Sequence, residues 1–530
     1  MKPIRSSCLA SLIALSPAVF ATERLPMPGP IQSVDPSSVV DAHVEVLSSL
    51  DDFDLKRDPG HPPLDQIPPM PMPDRGKAWR SGLGPGGSTF HDGLTGETTP
   101  WPLAKKRSGL SFDRSPEPTY TGVGPLDSEI TPKGFGTMFA ITGDLTIWPR
   151  RGNVKLFARF TDTSSNVWWY TCSGSMADAG VIQTAAHCVY ARDPNGHNIF
   201  NWADIIYVYP AWDGVGTAWA APGSTEVIQN YGYLYGTQFL AGTNYINNGD
   251  FDSDAGLIRI TRGDSRMGGM LTGWFGWAWG ADCDTIKART YNNYSYPSES
   301  CGGGLHTGRT MYYWSGSFDA CPGNQLQITT TPSCTTALWG GMSGSGAYYA
   351  EGDNRWVHAV ASNSDRNTYG AYAKLWEQWV TDRTTFTNDT RGNTFDLEAL
   401  AFRTTGSTLV TAGSWMNSGA TVLVANATNA DPAAGTYTLR VYLSTNNLIS
   451  SADTLLGTLV YSNVDFAAMQ LKTFNVSARY IPAATPPGNY WIGAVLDSGT
   501  DGVFANNDSS GWDALAITVQ GTGLFSNGFE

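Results

Sequence analysis

The chain is short of charge, and shortest of positive charge. Only 15% of its residues are Asp, Glu, Lys or Arg, and 33 Lys plus Arg stand against 47 Asp plus Glu, a formal net charge of -14. Nucleic acid and anionic membrane surfaces both call for a basic face, so neither is expected as a partner. Histidine is scarce as well. The seven present, at 43, 61, 91, 187, 197, 306 and 358, show no H-E-x-x-H pattern and no ligand spacing. No metal and no cofactor is therefore expected. Beyond the N-terminus, no stretch approaches the eighteen or so consecutive apolar residues of a membrane-spanning helix, and neither histidine nor cysteine occurs after His358.

What is abundant points to β structure. The 530 residues include 59 Gly, 19 Trp and 23 Tyr, a profile of turn-rich strands rather than helical bundles, with length for two or three cores. At the N-terminus, Lys2 and Arg5 precede the apolar run Cys8–Phe20, and small residues follow near Ala21. Residues 1–21 thus read as a cleaved secretory signal, which sends the protein out of the cell. Its removal takes Cys8 and leaves six cysteines, at 172, 188, 283, 301, 321 and 334. An even number in an exported chain predicts three disulfides. Order and proximity suggest Cys172–Cys188, Cys283–Cys301 and Cys321–Cys334, the first closing a loop worth roughly 3 kcal/mol.

Composition divides the rest. Residues 22–127 carry proline- and glycine-rich runs such as "LPMPGP" and "HPPLDQIPPMPMP", with few periodic apolar faces, and are expected to be extended or loop-like. They read as a pro-segment or linker, and Lys105-Lys106-Arg107 near their end reads either as a processing site or as a solvated charge cluster. From 128 to 390, short β-branched and aromatic runs ("VKLFARF", "DIIYVYP", "AGLIRI", "VHAVAS") alternate with turn residues, and "LWEQWVTD" reads as one short helix. From 396 to 520, period-two runs such as "YTLRVYLST" and "GNYWIGAVLDS" indicate a sandwich, followed by a tail at 521–530. With no His or Cys of its own, this module reads as a binding or spacing domain for a cell-surface or extracellular ligand.

The chemistry concentrates at three places. A serine hydroxyl attacks a carbonyl only if a neutral imidazole takes its proton, a carboxylate orients that imidazole, and backbone N–H groups receive the oxyanion. His187 sits in "TAAHC". Asp254 heads the apolar run "DAGLIRI", with Asp250 and Asp252 as neighbouring carboxylates. Ser343 lies in "GMSGSG", where flanking glycines expose both hydroxyl and backbone N–H. An α/β-hydrolase is excluded, because "GMSGS" is not G-x-S-x-G with a following histidine; here the histidine leads.

Together "TAAHC", the Asp before "LIRI" and "GMSGSG", in the order His, Asp, Ser, resemble the chymotrypsin-like serine proteases over residues 128–390. "CSGSM", "GWAWG", "AVASN", "YGAYAKL" and "LWEQWV" match further parts of that family. The resemblance implies an all-β double barrel, protein or peptide substrates, and a triad of His187, Asp254 and Ser343. It also implies an oxyanion hole from the N–H groups of Gly341 and Ser343, and a substrate-pairing strand at Ser362. Ala337, six residues before Ser343, falls at the base of the specificity pocket. Two departures stand out. Met342 replaces the aspartate that captures a new N-terminus in trypsin-like zymogens, so the chain is closer to the bacterial glutamyl-endopeptidase-like branch. Yet His358 falls four residues short of the glutamate-reading histidine, so an apolar or broad preference is expected. The C-terminal module resembles CARDB-like sandwiches through "VYLSTNNLISSADTLLG", "PPGNYWIGAVLDS" and "NND". The competing class is an inactive protease-fold adhesin or binding protein.

Overall fold

The strand Asn153–Thr161 shows how the fold is made. Its side chains alternate, so Val154, Leu156, Ala158 and Phe160 enter one apolar core while Phe157 enters a second. A strand buried on both faces must lie between two layers, and the whole molecule follows from such layering. The computed structural model describes residues 67–71, 86–101, 119–122, 138–193, 196–197, 199–214, 231–260, 266–299, 306–330, 338–416, 419–432, 434–476, 479–497, 501–502, 506–509 and 513–521. The signal segment, Lys105-Lys106-Arg107, Cys301, Cys334, Ala337 and residues 522–530 lie outside them.

The expected all-β class is what the structure has: two barrel sheets and a smaller sandwich. A nine-stranded sheet runs in the order Leu234–Gly236, Ile205–Pro210, Asn153–Thr161, Val167–Asp178, Val181–Thr184, Gly256–Arg259, Gln238–Gly242, Ser88–Asp92 and Glu97–Pro100. An eight-stranded sheet is built around Gln325–Thr329, Tyr369–Lys374, Asn354–Ser364, Gly346–Glu351, Tyr291–Ser295 and Tyr312–Gly316, with Phe139–Ala140 and Gly276–Trp277 at its margins. The candidate residues lie where these two sheets meet.

The sandwich packs Leu397–Thr404, Ala420–Asn426 and Gln470–Val476 against a five-stranded sheet that includes Gly435–Ser444, Thr454–Val464 and Gly488–Asp497. Between the two sheets lies a core of Leu397, Val422, Val424, Leu439, Val441, Phe474, Ile492 and Ala494, among others. The outward side chains of the three-stranded sheet are not all solvated. Leu400, Ala401, Leu423 and Ala425 belong to the same apolar cluster as Met267, Met270 and Leu271 of the barrel region. Glu398 accepts from the Met267 N–H at 2.9 Å, and Arg266 pairs with Asp513. The sandwich is thus joined to the barrel body by a buried contact as well as by the chain.

Three expectations are corrected. Part of the proline- and glycine-rich region is ordered sheet: Ser88–Asp92 pairs with Glu97–Pro100 and adds to Gln238–Gly242. The run "STFHD" lacks proline and glycine, and its Ser88 hydroxyl donates to buried Asp382 at 2.5 Å. The short helix spans Glu377–Arg391, fifteen residues. Its "TTFTNDT" half has weak helix propensity, but Trp379, Val380 and Phe386 are buried in the second core and override it. Third, Cys283 pairs with Cys321, not with Cys301, so Cys321 is not bonded to Cys334. Ile286 of the helix Cys283–Ala288 shares a buried apolar cluster with Leu326 and Ile328 of the strand Gln325–Thr329, a tertiary proximity that sequence spacing cannot report. Cys172–Cys188 is present as expected.

Peptide mapping without reduction should therefore recover Cys172–Cys188 and Cys283–Cys321 as linked pairs. Replacing Cys172 and Cys188 together by Ala should cost about 3 kcal/mol in denaturant unfolding. A linked Cys283–Cys301 peptide would contradict the observed pairing.

Candidate active site

His187 is placed by a single helical turn, Ala186–Val189, that follows the strand Val181–Thr184. Next to it, Cys188 is bonded to Cys172 in the strand Val167–Asp178, which ties the histidine turn to the sheet. Asp254 ends the short turn Phe251–Ser253 and leads into Gly256–Arg259. That strand pairs with Val181–Thr184, Gly256 opposite Thr184, so the start of one strand lies beside the end of the other. The carboxylate and the imidazole consequently meet.

The contact is two-pronged. His187 Nδ1 lies 2.8 Å from Asp254 Oδ2, and the His187 backbone N–H donates to Asp254 Oδ1 at 2.9 Å. A third donor, the Ser362 hydroxyl, reaches Asp254 Oδ2 at 2.6 Å. Ser362 stands at a bulge between Ala361 and Asn363 in the pairing with Tyr369–Lys374, and a bulge re-aims a side chain. Its side chain therefore faces the carboxylate. Of the three neighbouring acids, only Asp254 makes these contacts: Asp250 accepts from the Asp252 N–H at 3.1 Å. Tyr245 packs beside His187 with ring centroids 6.5 Å apart. Burial, and then the Asp254 charge, hold its hydroxyl well above the usual phenol range.

Ser343 occupies a turn in which Met342 N–H donates to Trp339 O and Ser345 N–H to Met342 O, both at 3.0 Å. The turn abuts the histidine element: Ser173 N–H donates to Ser343 O at 2.8 Å, and Cys188 Sγ lies 3.6 Å from the same oxygen. The hydroxyl of Ser343 and Nε2 of His187 are both buried and have no hydrogen-bond partner. By contrast Ser345 Oγ accepts from Asn293 Nδ2 at 2.9 Å. Of the two serines in "GMSGSG", the unengaged hydroxyl is that of Ser343. Among the described residues, no hydrogen bond takes up the backbone N–H of Gly341 or of Ser343.

Two glycines in this turn are sterically required. Gly344 has φ +82°, and a Cβ there would come within 2.0 Å of Thr184 Oγ1. Gly341 has φ +93°, and its Cβ would lie 2.6 Å from Ser298 Oγ. Met342 is fully buried in the apolar cluster with Leu338, Ala347 and Ala361, so this position offers no partner to a charged N-terminus.

Several supporting residues carry no motif and escape a reading of sequence. The Ser173 hydroxyl donates to Gly341 O at 2.7 Å and accepts from Tyr296 N–H at 3.0 Å, pinning the peptide between Gly341 and Met342 from behind. Lys155 Nζ donates to Ser298 Oγ and Gly308 O, each at 2.9 Å, and burial brings its ammonium pKa down to about 7. Ser298 N–H donates to Gly340 O at 2.8 Å, while Glu299, paired with Arg366, accepts from Gly340 N–H at 2.9 Å. The alternation of Asn153–Thr161 puts Lys155 on the Phe157 face, the one available signal that it is not solvated. Residues 67–71, within the expected pro-segment, also border the site. Met70 N–H donates to Thr171 O and Thr171 N–H to Pro68 O, both at 2.9 Å, and Pro69 lies against Gly340.

Other expected features divide. His358 is fully buried, its Nδ1 2.8 Å from the Tyr291 hydroxyl, and burial drives its pKa down to about 3. Ala337 lies outside the described residues. Cys172, His187 and Cys188 form the one trio of His, Cys, Asp or Glu side chains, among the described residues, close enough to share an ion. Their sulfurs are joined to each other, and a disulfide is not the thiolate that a metal binds.

No model of a known protein family matches the chain. A curated relative, an extracellular metalloprotease of Bacillus subtilis (strain 168), is 29% identical over 132 residues, 25% of this chain and 34% of that protein. The match thus spans about a third of that relative's length. Among solved structures, a Glu endopeptidase in complex with MPD aligns over 47% of this chain and 96% of its own, with 18% identity and a TM-score of 0.34. The protease Anisep from Arthrobacter nicotinovorans aligns over 44% and 94%, with 18% identity and a TM-score of 0.33. The thermostable serine protease AL20 aligns over 44% and 96%, with 16% identity and a TM-score of 0.34. No helix among the described residues is long and apolar enough to cross a membrane.

Two outcomes follow from this geometry. If the turn at Gly341 receives an oxyanion, Ser173→Ala should lower kcat by about ten- to hundredfold with KM little changed, less than the ~10²–10³ lost when an oxyanion donor itself is deleted. A rise in KM at constant kcat would show that Ser173 shapes substrate binding instead. His358 governs acid stability. The unfolded chain takes up its proton near 6.5 and the folded chain only near 3. Its stability is therefore whole above 6.5 and drains away as pH falls toward 3. Between pH 7 and pH 4 the parent should lose on the order of 3 kcal/mol more than His358→Gln in urea unfolding.

Proposed function

We propose that the chain is an exported serine endopeptidase acting through Ser343, His187 and Asp254. The observation that carries this reading is the buried, unpartnered Ser343 hydroxyl beside a histidine whose far nitrogen is held by Asp254. With Nδ1–H directed at Asp254, His187 presents Nε2 as an acceptor. Ser343 Oγ attacks the scissile carbonyl carbon while its proton passes to His187 Nε2. The tetrahedral oxyanion takes hydrogen bonds from Gly341 and Ser343 N–H, and collapse expels the amine, which receives the proton from His187. Water then repeats the sequence against the acyl-enzyme and restores Ser343. Asp254 remains a carboxylate throughout, oriented by the His187 N–H and the Ser362 hydroxyl.

Residues 67–71 lie against the oxyanion turn and belong, in this reading, to a segment that processing at Lys105-Lys106-Arg107 would separate covalently from the protease. The buried methionine at 342 fits an activation route without an N-terminal ion pair. His358, neutral and engaged by Tyr291, supplies no charge to read a glutamate side chain, so an apolar or broad cleavage preference is favoured. The sandwich serves as the accessory module, for binding or spacing at a cell surface or extracellular ligand. A metal-dependent reading, suggested by the relative's name, has among the described residues only the disulfide-bonded trio in its favour.

A fluorophosphonate should label Ser343, which an inactive protease-fold binding protein would not allow. Ser343→Ala or His187→Ala should lower kcat about a millionfold, and Asp254→Ala about ten-thousandfold, because the imidazole survives misoriented. Ser345→Ala and Asp252→Ala should keep most activity. A dead Ser345→Ala beside an active Ser343→Ala would move the nucleophile.

A further inference from the structure

At the start of the sandwich, two carboxyl groups are buried side by side. Asp396 precedes the strand Leu397–Thr404, and Asp501 lies on the loop after Gly488–Asp497; their exposures are 2% and 9%. The Leu397 N–H reaches both Asp501 oxygens, at 3.2 and 3.4 Å, and Gly502 N–H donates to Phe395 O at 3.0 Å, so the loop is clamped to the strand entry. The Asp396 and Asp501 side chains lie within hydrogen-bond reach of each other. Two like charges in contact away from water need a proton or a cation between them.

The side chains around the pair favour a cation. Asn506 Nδ2 donates to Asp396 Oδ2 at 2.9 Å, while its Oδ1 is buried with no partner. Asn507 is 1% exposed and its amide faces Asp501, while its Oδ1 is buried with no hydrogen-bond partner. A buried amide oxygen left without a partner costs about 1–3 kcal/mol unless something else engages it. Amide oxygens beside carboxylates are the donors that a hard cation takes, six to eight oxygens in a flexible shell. Asp396 and Gly502 also line a cavity of about 370 Å³ shared with Gln238, Arg259 and Arg391, which gives an ion a way in. The two arginines there are already paired, with Asp389 and Asp178.

The geometry points to a calcium site at the junction of barrel and sandwich, with Asp396, Asp501, Asn506 and Asn507 as its side-chain ligands. Such an ion would fasten the loop after Asp497 to the strand that follows helix Glu377–Arg391, stiffening the passage from the protease body to the accessory module. The site is independent of the triad and makes no demand on the catalytic reading.

The test uses the full chain carrying Ser343→Ala, so that self-cleavage cannot intervene. After EGTA treatment and dialysis, equilibrium dialysis against calcium chloride should show half-saturation at about 0.1–1 mM or tighter. Melting temperature should rise by several degrees as the ion is added. Asp501→Asn and Asp396→Asn should each bind one ion fewer and lose that rise. Asn507→Ala, which leaves both carboxylates in place, should weaken binding about tenfold and covers the case in which the Asp variants fail to fold. The proposal is overturned if the parent binds no calcium, or if the variants bind as many ions as it does. It is equally overturned if calcium leaves the melting temperature unmoved while stability rises on acidification, the mark of a shared proton.

Discussion

The carboxylate of Asp254 is the point on which the rest of the candidate site depends. It is fully buried and accepts from three donors: the His187 ring, the His187 backbone and the Ser362 hydroxyl. An ion taken out of water without such partners would cost several kcal/mol. The donors come from two elements, the turn Ala186–Val189 and the strand Asn354–Ser364, and neither is near Asp254 in sequence. The register of Gly256–Arg259 on Val181–Thr184 and the bulge at Ser362 are therefore conditions for keeping the charge at all. Burying the charge also gives it orientation. A carboxylate with both oxygens engaged holds the imidazole in one tautomer and one plane.

A second constraint acts from the opposite side. The turn carrying Ser343 bends through two left-handed glycines so tightly that Gly344 has no room for a Cβ beside Thr184. Such a turn does not hold itself. Ser173 reaches Gly341 O from one barrel sheet, Ser298 and Glu299 engage Gly340, and Gly344 N–H donates to Ala361 O. The strands that present the imidazole thus also brace the hydroxyl, with Cys172–Cys188 as the covalent link between them. Preorganisation of this kind is what lets backbone dipoles stabilise a developing oxyanion without reorganising at the moment of reaction.

The sandwich is bound into the same body. Leu400, Leu423 and Ala425 share an apolar cluster with Met267 and Leu271, and Arg266 spans the junction to Asp513. An apolar contact between outward sandwich residues and the barrel makes the two move together more than a tether of loop residues would. Near this junction the chain also brings Asp396 and Asp501 together, side chains 105 residues apart in the sequence that only the closed sandwich makes neighbours.

Much of this was legible in the amino acids. Period-two runs announce strands because a strand exposes alternate residues to opposite faces, and "VKLFARF" and "YTLRVYLST" both became strands. His187, Asp254 and Ser343 stood out because "TAAHC", "DAGLIRI" and "GMSGSG" are local signals, set by turn sterics and by acids at strand starts. What depended on distance in the fold stayed hidden. The pairing of Cys283 with Cys321, the fifteen-residue helix, the ordered hairpin at Ser88–Asp92 and the bracing of Gly341 by Ser173 all arise from long-range contacts. So does the choice of Asp254 over Asp250 and Asp252: the three are equivalent as residues, and only strand register decides which carboxylate meets the imidazole. Local pattern marked the elements and the candidate side chains, because sterics and burial periodicity act over a few residues. Tertiary structure alone decided their partners, because a hydrogen bond or a disulfide forms only where the folded chain brings two groups within reach.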